Sequence, residues 1–103
     1  MKLIWSLQAK KALEDTASYI QDEFGRRVKR DFALEVRRIA RLLRKNPKLG
    51  PPEPWLEGAS VTYRSIVVNR LNKIVYYIHD DVIEIVAFWD TRREPKEQAG
   101  QVE

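Results

Sequence analysis

Two runs in the second half of this chain alternate so regularly that few folds accommodate them. In residues 74–79, Ile74, Tyr76 and Ile78 point one way while Val75, Tyr77 and His79 point the other. In residues 82–90, Ile83, Ile85, Ala87 and Trp89 lie opposite Val82, Glu84, Val86, Phe88 and Asp90. A period of two is what a pleated backbone imposes on its side chains. Asp80-Asp81 between the runs marks a tight turn, because aspartate tolerates turn dihedrals and bonds its own backbone. Asn69-Arg70-Leu71-Asn72 is a longer link of the same kind, so residues 62–93 read as three strands in an antiparallel meander. Apolar groups on both faces require helices or a partner to cover most of the sheet.

The first half of the chain supplies the helices. Lys2-Leu3-Ile4-Trp5 reads as a short strand, and Ser6 has a hydroxyl suited to cap a helix N-terminus. Ala9, Leu13, Ala17, Ile20 and Phe24 then recur at helical spacing until Gly25 stops the helix. In the second helix, Val28, Phe32, Val36, Ile39 and Leu43 fall between about 100° and 180° around the axis, counting from Arg27. Arg30, Arg37, Arg38, Arg41, Arg44 and Lys45 fall between about 260° and 20°, nearly opposite. Leu34 is the large apolar residue outside the stripe. Asn46-Pro47 ends the helix, since the residue before proline is pushed out of the α region.

Residues 47–61 carry four of the chain's five prolines and two of its four glycines, a composition for a long loop. Trp55-Leu56 is expected to anchor that loop to the body. Residues 96–103 show no periodicity and little to bury, so a frayed tail is expected there, after one domain spanning residues 1–95. The element order, β-α-α-β-β-β, predicts an α+β fold: an N-terminal strand, a two-helix hairpin and a three-stranded meander, with the helices packed on the sheet.

Charge narrows the function classes. Residues 26–45 hold nine Lys or Arg against two acids, whereas the whole chain is only +4. One segment thus carries the entire basic excess, which points to an anionic partner or to a solvated helix face. Cysteine is absent, which removes thiolate metal sites and fits a cytoplasmic protein. No secretory signal or membrane helix is visible, and no clustered ligands predict a metal or other cofactor.

Five cations border the meander. Arg64 and Arg70 bracket its first strand, Lys73 opens the second, and Arg92-Arg93 close the third. Pairing brings Arg70, Lys73, Arg92 and Arg93 toward one end of the sheet, where they could hold phosphates or simply pair with nearby acids. His79 beside Asp80-Asp81 reads as a turn residue before it reads as a base, since a base needs a positioned partner. Trp5, Trp89 and Tyr77 read as core.

Taken together, the order and spacing resemble the RelE/ParE superfamily of bacterial toxins from type II toxin-antitoxin pairs, over about residues 2–95. The pieces that carry the resemblance are Tyr63-Arg64, Lys73-Ile74-Val75-Tyr76 and Asp90-Thr91-Arg92-Arg93. It implies a cytoplasmic toxin held inactive by a cognate antitoxin whose extended segment wraps it. RelE-type members cut messenger RNA on the ribosome with basic sheet residues and a C-terminal Tyr or His; ParE-type members inhibit DNA gyrase. Arg64, Lys73 and Arg93 match the RelE pattern, but Ile66 occupies its second basic position and nothing aromatic or imidazole follows Trp89. The resemblance therefore implies a ParE-like, non-enzymatic gyrase inhibitor. The alternatives are a ribosome-dependent endoribonuclease using Arg64, Lys73 and Arg93, and a small nucleic-acid-binding domain using the basic helix face.

Overall fold

The computed structural model describes residues 1–93 and 95–102. The elements are β1 (Lys2–Trp5), α1 (Leu7–Phe24), α2 (Arg26–Lys45), a 3-10 turn (Pro54–Leu56), β2 (Arg64–Val68), β3 (Asn72–His79), β4 (Val82–Asp90) and α3 (Pro95–Gly100). This is the expected α+β order with one short helix added at the end. β2, β3 and β4 form the antiparallel meander. β1 joins its far edge parallel to β4, giving the sheet order β1-β4-β3-β2. A parallel pair cannot be closed by a hairpin; the α1-α2 hairpin carries the chain from β1 across to β2 at the opposite edge, and the meander returns it to β4.

Local chemistry explains the boundaries. The Ser6 hydroxyl accepts the Ala9 N–H at 3.1 Å, satisfying one of the free donors of the first turn of α1. Gly25 separates the helices at φ 92°, a conformation that a Cβ disfavours. Asp80 and Asp81 both take positive φ, 48° and 60°, which gives the two-residue turn between β3 and β4.

The helices cover one face of the sheet. Phe32, Val36, Ile39 and Leu43 of α2, with Ala9 and Ile20 of α1, pack over Val68, Ile74, Tyr76, Ile83, Ile85 and Phe88. Val28, at the start of the α2 stripe, stays 44% exposed, and Leu34 is exposed as well.

The facing of β4 departs from simple alternation. Val75 pairs with Ala87 but Tyr76 pairs with Ile85, so Val86 is an extra, unpaired residue. A bulge of this kind reverses parity beyond it. Ile83 and Ile85 face the helices, but so does Phe88, while Ala87 and Trp89 turn to the opposite face. Phe88 thereby meets Phe32 edge-on, with ring centroids 5.9 Å apart.

The second face is covered in part by the long loop and by α3. Leu56, Tyr63, Val75, Ala87 and Trp89 form a smaller core there, joined by Ala99 and Val102. Leu56 anchors the loop, whereas Trp55 remains 47% exposed, so only half of the expected Trp55-Leu56 anchor is buried. Near its start the loop is tied to the sheet from the helix side. The Tyr76 hydroxyl donates to Pro47 O at 2.7 Å and accepts the Gly50 N–H at 3.0 Å. A Cβ on Gly50 would lie 2.6 Å from Ser65 O, so only glycine allows this approach.

The tail differs from the frayed segment expected over residues 96–103. Pro95–Gly100 is helical, and Gln98 is buried. Its amide accepts the Asp90 N–H at 2.9 Å and donates to Asp90 O at 3.1 Å. A side-chain amide thus satisfies the backbone where β4 ends, a tether that apolar periodicity cannot reveal. Glu103 lies outside the described residues.

Candidate functional site

Pairing brings Arg70, Lys73, Arg92 and Arg93 toward one end of the sheet. Thr91 N–H donates to Leu71 O at 2.8 Å, and the Thr91 hydroxyl lies 3.3 Å from Arg70 O, tying the end of β4 to the β2-β3 turn. They do not form one cluster, because the sheet divides them. Arg92 borders the helix side, where Asp15, Tyr19 and Phe24 of α1 and Leu71 form a groove of about 450 Å³. It pairs there with Asp90, Nε to Oδ1 at 3.1 Å. That hydrogen bond holds the Asp90 carboxyl below its ordinary range. Lys73 and Arg93 share the other side, in a cleft of about 140 Å³ with Trp55, Trp89, Thr91, Pro95 and Gln98. Arg70 sits in the turn at φ 71°.

Arg64 is apart from all of these. It pairs across from Tyr76 on β3, on the helix side of the sheet. Its Nη1 donates to Gly50 O at 2.9 Å. This arginine holds the loop, as Tyr76 does beside it. Burial pushes the Tyr76 hydroxyl above its ordinary value, and both its hydrogen bonds are used in the same seam.

The residue that sequence reasoning missed is Glu53. Its side chain is fully buried and forms an ion pair with Lys73. It also accepts the Trp55 N–H at 2.7 Å and a hydrogen bond from Ser65. Burial alone would raise the pKa of this carboxyl, but the Lys73, Trp55 and Ser65 hydrogen bonds outweigh it and hold the group below its ordinary value. The available signal was positional. Glu53 precedes Pro54 at the head of a 3-10 turn, where a carboxylate can accept the first free N–H. Its pairing with Lys73 spans twenty residues and leaves no local trace.

Lys73 is therefore fixed rather than free: its ammonium meets Glu53 on one side and stands 5.3 Å from the centre of the Trp89 ring on another. That placement suits a cation–π contact. Arg93 supplies the exposed charge of the cleft, and among the described residues no carboxylate closes on its guanidinium. The Trp89 indole N–H is buried without a hydrogen-bond partner among the described residues.

His79 lies at the opposite end of β3, six residues from Lys73, or about 20 Å along a strand. Its Nε2 is 2.9 Å from Glu84 Oε1, and its ring stacks on Tyr77 at 4.8 Å. Burial, together with the Glu84 carboxylate, pushes the Tyr77 hydroxyl above its ordinary value. This Tyr-His-Glu group cannot serve a phosphate held at Lys73 and Arg93. Among the described residues no group of His, Asp or Glu side chains could hold a metal ion, and no helix is long and apolar enough to cross a membrane.

On α2, Arg38 forms a two-pronged pair with Glu35, at 2.7 and 3.0 Å. Arg30, Arg37, Arg41, Arg44 and Lys45 are exposed, and none has a side-chain ion pair among the described residues.

A helical hairpin clamped on a mixed sheet, with cations at one sheet end and along one helix, makes this a small, basic α+β protein. A profile of the ParE toxin of the type II toxin-antitoxin system, parDE, matches residues 3–95. The chain belongs to this ParE toxin family, within the RelE/ParE superfamily. A search of curated proteins finds no match. Among solved structures, a chain of the chromosomal ParDE toxin-antitoxin system from P. aeruginosa shares the fold at TM-score 0.71 and 14% identity, covering 87% of this chain and 95% of that one. The YoeB dimer from Staphylococcus aureus follows at TM-score 0.57 and 21% identity, with 84% and 92% covered. The YoeB/ParE toxin from Agrobacterium tumefaciens gives TM-score 0.56 and 24% identity, with 87% and 98% covered.

Proposed function

We propose that this ParE-family toxin acts by binding rather than by cutting RNA, that its target is DNA gyrase, and that a cognate antitoxin neutralises it. The observation that carries this reading is the state of Glu53. It is the carboxylate beside Lys73, yet it is fully buried, already accepts three hydrogen-bond donors and is held ionised. A general acid or base must reach the proton it transfers, and this one cannot reach a substrate in the cleft. His79, the one imidazole, is at the wrong end of the sheet. The likeness to a ParDE system supports an antitoxin partner, and Arg93 is the cleft residue best placed to contact the target.

The test is induced expression of the chain alone in a bacterium, with pulse labelling of protein and DNA synthesis, beside a supercoiling assay with purified gyrase. Filamentation and DNA damage with continuing translation, and lost supercoiling, are expected. Rapid translational arrest with cleaved messages would instead establish the ribonuclease. Arg93→Ala should weaken gyrase inhibition about tenfold, the loss of one contact worth about 1.4 kcal/mol. Unfolding stability should change by less than about 0.5 kcal/mol, because the side chain is exposed.

A further inference from the structure

We infer that the outer face of α2 is a second binding surface, separate from the cleft, that takes the phosphate backbone of duplex DNA without reading its sequence. Arg30, Arg37, Arg41, Arg44 and Lys45 lie along one exposed side of an uninterrupted helix. Between residues 30 and 45 that row is about 22 Å long at 1.5 Å per residue. Its side chains hold no carboxylate among the described residues, since the nearby Glu35 is already taken by Arg38. The rest of the chain is net negative, so the molecule is polarised and this face leads in any approach to a polyanion.

The chemistry of the face selects among polyanions. Single-stranded nucleic acid is held by aromatic side chains that stack on bases, and the one aromatic residue of α2, Phe32, is buried in the core. A protein partner draws most of its affinity from a few anchors seated in pockets. The row is convex, and its apolar group is Leu34, 52% exposed. Duplex backbone needs neither. A helix about 10–12 Å across fits the major groove of B-DNA, about 12 Å wide, with arginines reaching phosphates on its rims. The deep, narrow major groove of duplex RNA excludes it. Residues 26–45 contain no asparagine or glutamine to read adenine, and the contacts inferred for the row are to phosphate, which give affinity and not sequence preference.

The test is fluorescence anisotropy of the full chain with a labelled 20-base-pair DNA of arbitrary sequence, repeated from about 50 to 200 mM salt. Micromolar binding is expected, with log K falling against log salt at a slope of about −4 to −5, for five phosphates at about 0.9 each. The variant R37Q/R41Q should flatten that slope by about two, with an unchanged circular dichroism spectrum. Lys11→Gln, an exposed charge on α1 away from this face, and Leu34→Ser should leave binding as it was. The inference is overturned by no binding at the lowest salt, by a slope that R37Q/R41Q does not change, or by equal or tighter binding to duplex RNA. Loss of binding in Leu34→Ser with an unchanged circular dichroism spectrum also overturns it, because an apolar contact rather than phosphate charge would then carry the affinity. None of these outcomes depends on gyrase, so the two proposals stand or fall separately.

Discussion

The two faces of the sheet are built on different physics. On the helix side, Val68, Ile74, Tyr76, Ile83 and Ile85 belong to one apolar cluster with residues of α1 and α2, to which the Tyr76 hydroxyl adds two hydrogen bonds with the loop. On the other side, a loop and a six-residue helix cover a smaller apolar patch, and a carboxylate-ammonium pair sits at its margin. The first arrangement draws stability from burial, which is non-directional and cumulative. The second depends on a few directional contacts, each of which can be removed alone. Stability thus belongs to one face, while the other exposes charge beside the cleft.

That comparison is broken most severely on the helix side. Ile85→Ala removes a fully buried side chain of the helix-side core and should cost about 3–4 kcal/mol, a large part of the 5–15 typical of a domain. Urea denaturation measures it; a loss below about 1 kcal/mol would mean the two faces contribute alike.

Glu53→Gln should cost less, about 2 kcal/mol. Breaking a buried pair usually costs more, but Lys73 retains 20% side-chain exposure and can turn toward water. The pH dependence follows from the sign of the shift. Glu53 has a lowered pKa in the folded state, so the pair stabilises above the ordinary carboxylate value of 4.5 and is lost as pH falls through the lower folded value. The gap between wild type and Glu53→Gln should be constant near neutrality and close below about pH 4.5. A gap that widens in acid would reverse the assigned sign.

The smallest effect sharpens the contrast. Gln98→Ala deletes both hydrogen bonds to the Asp90 backbone and should cost about 1 kcal/mol. Hydrogen exchange should then rise in α3 and at the end of β4, while amides of β3 stay protected. Equal loss of protection throughout would make α3 part of the main cooperative unit.

Much of this architecture is legible in local chemistry. Ser6, Gly25, Asn46-Pro47 and Asp80-Asp81 punctuate the chain where the structure does, because caps and turns are decided by a few adjacent residues. The apolar and basic stripes of α2 are legible for the same reason: one helix fixes the relative angle of its own side chains. The site is less so. Arg92 shares its end of the sheet with Lys73 and Arg93 in the sequence pattern, and Arg64 lies toward the other end, yet both fall on the helix side. Their partners, Gly50 O and Asp90, are set by how the loop and β4 pack.

The sequence alone determined the order of elements, the turns between them and the concentration of positive charge on one helix face. The tertiary structure decided which way β4 faces after Val86, which acid holds Lys73, and what closes the end of the sheet. A bulge arises from pairing between strands rather than from either strand by itself. Glu53-Lys73 and Gln98-Asp90 likewise join residues that approach only after the sheet has formed. Periodicity records what each segment buries; only packing specifies against what.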